Sequence, residues 1–159
     1  MIPPIRVAAK AVVIDRGQIL LTRNLNPDDA NGEFFLLPGG GQNYGESLSE
    51  CLQREVLEET GYGVSVGEVL FVRDYIGANH EFAAHEPDVH QVEVMFSCSV
   101  DRSEVPVGPT EIDEWQVSVD WVRIEDLADL RIFPRALAEF LVGSGRTGLP
   151  GARYLGDVN

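Results

Sequence analysis

Residues 40–61 read GGQNYGESLSECLQREVLEETG, and within them Arg54-Glu55-Val56-Leu57-Glu58-Glu59 spaces three carboxylates at i, i+3 and i+4. On a helix such side chains share one face, stacked one above the other. Three anions that close repel unless a cation sits among them, so the stretch reads as a divalent-metal site. A helix beginning near Ser47 has Leu48, Leu52 and Val56 on its buried stripe, and Glu55 and Glu59 continue that stripe. Burying carboxylates is costly unless they are paired or ligate metal, so the second half of the helix is expected to overlie a cleft. The competing reading is a solvated acidic face on which Arg54 is an ordinary ion-pair partner.

The preceding residues favour the cleft. Leu36-Leu37-Pro38-Gly39-Gly40-Gly41 is a short apolar run that ends in proline and three glycines. This suits a strand stopping at a turn where backbone must approach a ligand. Ser47-Leu48-Ser49-Glu50 matches a capping box, and Gly61 stands where a left-handed C-cap is expected. The order is strand, glycine loop, acidic helix.

These residues resemble the signature of the Nudix hydrolase family: glycine, five residues, glutamate, seven residues, then arginine-glutamate-aliphatic-any-glutamate-glutamate-any-glycine. Gly40, Glu46, Arg54, Glu55, Val56, Glu58, Glu59 and Gly61 fill every fixed position, and Tyr62 stands where an aliphatic residue is usual. The resemblance implies an α/β fold, an α/β/α sandwich with a mixed β-sheet and a loop-helix-loop catalytic motif over residues 40–62. It also implies hydrolysis of a pyrophosphate bond in a nucleoside diphosphate linked to a group X, with Mg2+ as cofactor and Mn2+ as a substitute. Glu55, Glu58 and Glu59 match the family's metal ligands, the Gly40 carbonyl is an additional candidate, and Glu46 is a further metal contact or a support for one. Arg54 would orient a carboxylate. The general base would be Glu58 or Glu59, or an acid from the downstream loop holding Glu111, Asp113 and Glu114, each of which also reads as a solvated loop carboxylate. The resemblance makes a homodimer plausible, although no residue requires one. A nucleotide-sensing module without hydrolysis is the alternative function, and an acidic metal-binding scaffold a third.

The rest of the chain bounds these readings. At 159 residues with 44% hydrophobic composition, it is expected to form a single domain. Absence of a long apolar run or of signal-peptide order at the N-terminus makes a cytoplasmic protein the expectation. A net charge of −14 with only 12 Lys and Arg argues against binding a nucleic-acid polymer or an anionic membrane. A small-molecule phosphate substrate remains compatible, because a metal neutralises both partners. Cys51 and Cys98 lie in no ligand or redox spacing and read as small buried residues.

Strands are expected over residues 5–14 and 18–22 around an Asp15-Arg16-Gly17 turn, then over 34–37, 68–76 and 89–100, with a last strand at 118–122. A turn or short helix is expected over 124–127 and a helix over 135–142, with Leu137 and Leu141 in phase. Residues 143–159 hold five glycines and little periodicity, and read as a tail. His80, His85 and His90 recur every five residues, which fits neither a helix face nor a zinc motif. Their loop, 77–88, is a candidate wall of the substrate pocket, with Tyr75, His80 or Phe82 touching a base or X. Arg23 and Arg73 each read equally as phosphate contacts or as surface residues.

Substrate subgroup signatures are weak. The proline typical of the family's ADP-ribose hydrolases would fall near Ala78 and is absent, and Tyr75 comes early for the tyrosine of the dinucleoside polyphosphate subgroup. Leu20-Leu21-Thr22-Arg23 only partly resembles the coenzyme A subgroup. A nucleoside triphosphate and a nucleotide-sugar both stay open.

Overall fold

In a computed structural model that describes residues 1–104, 106–143 and 152–159, the described strands form one mixed nine-stranded sheet between two helices. Strands β1 (Arg6–Asp15) and β2 (Gln18–Asn24) form the expected hairpin. Arg16 and Gly17 take φ of 50° and 75°, and Asp15 pairs with Gln18 across them. Two consecutive left-handed residues give the turn whose twist suits a two-residue hairpin.

The hairpin forks at once. Beyond Ile14 and Ile19 the two strands part. Strand β3 (Phe34–Leu36) pairs with β2, while β4 (Gly39–Gly41) crosses over to pair with Ala8–Lys10 of β1. Leu37 and Pro38 bridge the fork, with the Ala11 N–H donating to the Pro38 carbonyl at 2.9 Å. The glycine run is therefore a short strand inside the sheet, not a free loop. Gly39 needs its identity: φ is +134°, and a Cβ there would lie 2.1 Å from the Ala9 carbonyl oxygen.

Helix α1 (Leu48–Thr60) starts at Ser47 with both halves of the capping box formed and ends at Gly61 with φ of 77°. It feeds β5 (Val64–Ile76), which pairs antiparallel with β6 (His90–Val100), itself parallel to β1. Strand β7 (Gln116–Arg123) lies along the other side of β2, a 3-10 turn covers Ile124–Asp129, and β8 (Ile132–Phe133) adds to β3. Helix α2 (Arg135–Gly143) follows, and β9 (Arg153–Asp157) joins β5 in parallel at the far edge. The strand order is β8-β3-β2-β1-β6-β5-β9.

Alternation along the strands assigns the two faces. Ala9, Ala11, Val13, Leu20, Phe96 and Cys98 pack with Cys51, Leu52 and Val56 of α1. Val12, Ile19, Leu21, Phe71 and Met95 pack with Leu137, Ala138 and Leu141 of α2. The helices thus cover opposite faces of the sheet, the sandwich expected of an α/β chain. Both cysteines are free and buried.

Two expectations need correction. Residues 118–122 are not the last strand, since β8 and β9 follow. Of the supposed tail, residues 144–151 lie outside the described residues, but Arg153–Asp157 is a strand and Asn159 reaches the central cavity. With one inward apolar residue, Leu155, and a glycine, β9 is too short and polar to show a period of two.

Candidate active site

A cavity of about 510 Å3 opens on the α2 face of the sheet, where α2 no longer covers it. Its floor is the polar end of three strands, with Arg6 and Lys10 from β1, Gln91 and Glu93 from β6, and Arg73 and Tyr75 from β5. Gly39, Gly40 and Gly41 of β4 and the Glu55 and Glu59 side chains of α1 line it as well. Phe34, Leu36, Phe82, Trp115 and Phe133 close the side nearest β3 and β8.

The acids at the end of α1 are poorly placed for the helix itself. Glu58 and Glu59 lie in its last turn, which holds no basic residue, and negative charge there opposes the helix dipole. Arg54 supplies the local counter-charge. Its Nε and Nη2 donate to the two Glu46 oxygens at 3.0 and 2.6 Å, and its Nη1 donates to Glu55 at 2.6 Å and to Glu58 at 3.2 Å. Nη2 also donates to the Gly41 carbonyl at 3.2 Å, tying the acids to β4. The fork of bonds from Arg54, with the Asn43 N–H, holds the Glu46 carboxyl down to about 2. Glu46 is thus a support for Arg54, and one guanidinium serves three carboxylates.

Glu59 is buried, with 5% exposure, and accepts from the Gly39 N–H at 2.9 Å. Burial pushes its carboxyl up to about 7, against the pull of Lys10 and of that hydrogen bond. The Lys10 ammonium donates to the Gly39 carbonyl at 3.0 Å. Glu55 rests directly on β4, where a Cβ on Gly40 would sit 2.4 Å from Oε2. With Arg54 drawn onto Glu55 and Glu58 and Glu59 turned to Gly39, no three acidic, thiol or imidazole side chains among the described residues converge on one cation position. The donor set is nonetheless one a hard divalent cation takes, being carboxylate and backbone carbonyl oxygens carrying more negative charge than Arg54 balances.

The other expected residues separate. Arg73 belongs to the cavity: it is buried, its Nε donates to Glu93 at 2.6 Å, and its Nη1 reaches Val158 and Asn159. The Glu93 carboxyl stays low despite burial because Lys10 and Arg73 flank it. Tyr75 also lines the cavity, and its hydroxyl donates to Glu86 at 2.6 Å. Arg23 does not line it. Its guanidinium meets Glu33 at 3.0 Å, Ser118 at 2.9 Å and Asp120 at 3.5 Å, so the phosphate-contact reading gives way to the surface one. Of the downstream acids, Asp113 and Glu114 line the cavity, while Glu111 does not and its N–H bonds to the Glu58 carbonyl.

The histidines go separate ways. His80 bonds Asp157 and stacks behind Tyr75, His85 meets the edge of Trp115, and His90 bonds Asp74. Phe82 faces the cavity from a cluster with Phe34 and Phe133.

Sequence reading passed over Arg6, Lys10, Asn24, Glu93 and Asn159, all of which line the cavity. For Lys10 and Glu93 a signal existed, since each is a charge inside an apolar strand, AAKAVV and VEVMF. Nothing local marks Asn24 or Asn159.

Comparison with known proteins bears on this arrangement. The NUDIX domain model matches residues 4–141. Residues of the chain are 29% identical over 105 positions to the nucleoside triphosphatase NudI of Salmonella schwarzengrund, covering 64% of this chain and 71% of that protein. They are 27% identical over 124 positions to a putative nudix hydrolase 1 of Caenorhabditis elegans, covering 76% of this chain, which spans only 29% of that longer protein. A solved NUDIX hydrolase from Nitrosomonas europaea superposes with a TM-score of 0.69 at 21% identity, over 90% of this chain and 91% of that one, a likeness of fold.

Proposed function

The chain belongs to the Nudix family, and from that membership we propose that it hydrolyses the pyrophosphate bond of a nucleoside diphosphate linked to a group X, with a divalent cation, Mg2+ or Mn2+, as cofactor. The observation that carries the reading is the seating of Glu55 and Glu59 against the β4 glycines in the cavity lining, with Arg54 holding Glu55 and Glu58. The named nucleoside triphosphatase activity of the Salmonella relative supports the same class of reaction.

In this reading Glu55, Glu58 and Glu59, with the Gly40 carbonyl, hold the cation. Such a cation would supply charge neutralisation for the pyrophosphate oxygens and would lower the pKa of a nearby water. The chain's own residues do the rest. Arg54, fixed by Glu46, holds Glu55 and Glu58 side by side, and a cation would draw them from it toward Glu59. Glu58, the most exposed of the three at 26%, would take the proton of an attacking water, its 3.2 Å bond from Arg54 Nη1 being longer than the 2.6 Å bond to Glu55. Lys10 and Arg73 on the floor balance Glu59 and Glu93 and offer positive charge toward the substrate phosphates. The aromatic wall of Phe34, Phe82, Phe133 and Trp115 suits a nucleobase. Small anionic substrates, a net charge of −14 and a cytoplasmic setting are mutually consistent in this reading.

The test is Mg2+-dependent product release from nucleoside triphosphates, nucleotide-sugars, ADP-ribose and dinucleoside polyphosphates, beside Glu58→Gln. Turnover that falls by about 10²-fold or more in the variant is the expected result. Nucleotide binding without turnover of any compound would instead make the chain a nucleotide sensor.

A further inference from the structure

Where Phe34, Phe82, Trp115 and Phe133 close the cavity, Asn24 lines it too and has no part in the hydrolytic scheme. It ends β2 at a bulge in the β2–β7 ladder, opposite Phe34 of β3 and Gln116 of β7. Its amide is locked. Nδ2 donates to the Thr22 carbonyl at 3.0 Å and to the Thr22 hydroxyl at 3.2 Å, which commits both of its hydrogens. A backbone carbonyl only accepts, so turning the amide over would set oxygen against oxygen. Oδ1 is therefore fixed as an acceptor.

That acceptor is unused and reachable. Among the described residues, the side-chain polar atoms both unpaired and sealed are Asn26 Nδ2 and Asn159 Nδ2. Asn24 Oδ1 makes no hydrogen bond with the described residues either, but it keeps a small open surface in a residue 3% exposed. The wall beside it is well fixed. Ring centroids of Phe34 and Phe82 lie 5.1 Å apart, those of Phe34 and Phe133 6.2 Å, and those of Phe34 and Trp115 6.3 Å. Arg131 backs the cluster, with its guanidinium 5.6 Å from the centroids of Phe34, Phe82 and Phe133 and bonded to Asp29 at 2.8 Å and to the Gly32 carbonyl at 3.0 Å. The Leu25 N–H donates to the Trp115 carbonyl at 2.8 Å and ties the residue after Asn24 to the same wall. A flat ring packed on these aromatics turns an edge toward Asn24, and a group projecting from that edge reaches the recessed oxygen first.

We propose that Asn24 is a specificity-determining residue, whose fixed oxygen selects a nucleobase carrying an exocyclic amine. The amine donates to Oδ1. An oxo group in its place sets a second acceptor against Oδ1, and a hydrogen in its place leaves Oδ1 covered and unpaired. The proposal rests on the nucleotide reading for what enters the cavity, and it is independent of which bond is cleaved.

Three pairs of nucleoside triphosphates separate amine from no amine: ATP against purine riboside triphosphate, GTP against ITP, and CTP against UTP. Each is titrated calorimetrically with Mg2+ into Glu58→Gln, with and without Asn24→Leu, and kcat/KM is measured for the native chain and for Asn24→Leu. Expected is a preference of about tenfold for the amine-bearing member of the best-bound pair, falling to within about twofold in the variant. Damage to the fold lowers both members of a pair together, so the ratio reports the acceptor alone. Asn24→Ala gives the same ratio should the leucine fail to fold. Native ratios within about twofold for all three pairs, or a preference that survives in the Asn24 variants, overturn the proposal. A binding preference without turnover of any compound upholds it while the hydrolase reading fails, and turnover without preference does the reverse. No binding of any nucleotide overturns both.

Discussion

Two adjacent glycines show how closely residue chemistry is shared between fold and site. A methyl on Gly39 would meet the backbone oxygen of Ala9 at 2.1 Å in a conformation closed to side chains. A methyl on Gly40 would meet Glu55 Oε2 at 2.4 Å, the far end of a flexible side chain that can swing away. Gly39→Ala is therefore expected to destabilise the chain by about 2 kcal/mol or more, and Gly40→Ala by about 1 kcal/mol or less. Activity separates them the other way: Gly40→Ala should lose about tenfold or more in kcat below its melting temperature, because Glu55 is displaced. Urea unfolding beside initial rates checks both, and a Gly40→Ala variant with native activity would remove Glu55 from the site. Arg73 and Arg23 teach the same lesson of context. Both are arginines near strand ends, but one is buried beside Glu93 in the cavity and the other is exposed beside Glu33 and Asp120 at the far side of β2.

At the scale of elements, α1 carries its own instructions and β9 does not. Capping box, buried stripe and left-handed C-cap of α1 all lie within residues 47–61, so its limits could be read before any tertiary contact was known. Strand β9 depends on partners 77 to 81 residues away, through Asn79, His80 and Ile76. Those bonds imply a pH dependence. Although burial works the other way, the Asn79 amide, His80 and the Ile76 N–H hold the Asp157 carboxyl at about 2, below its ordinary 3.8. A depressed carboxyl stabilises the docked strand fully above the unfolded value and ceases to do so as pH falls through the folded one. Hydrogen exchange of the β9 amides should show protection lost between about pH 4 and pH 2, while Asp157→Asn should be flat across that window. Parallel behaviour of the two proteins would place the docking energy elsewhere, in Leu155 or the backbone ladder.

The whole molecule is a sheet with a separate core on each face, and only one of those cores supports the acids. Leu52 of α1 and Leu137 of α2 are both buried, at 0% and 1% exposure. Truncating either to alanine is expected to cost about 2–5 kcal/mol. Leu52→Ala should also lower kcat at temperatures where the chain remains folded, because it loosens the helix that carries Glu55, Glu58 and Glu59. Leu137→Ala should leave kcat near native. Thermal melts with rates measured well below each transition test this, and equal kcat losses would show that the two faces are mechanically coupled.

Sequence alone determined what is local: the hairpin turn at Arg16-Gly17, the limits of α1, the phase of α2, and the family to which residues 40–61 belong. Each depends on residues of one continuous stretch, where capping, periodicity and turn chemistry act. Tertiary structure decided that the glycine run is a strand bridging a fork in the sheet, that Arg54 binds Glu46 with two nitrogens while holding Glu55 and Glu58, and that Asn24, Lys10, Glu93 and Asn159 share one cavity. Those facts arise from pairings between strands far apart in the chain, whose register no local pattern encodes, and from the face each strand turns to the cavity once the register is set.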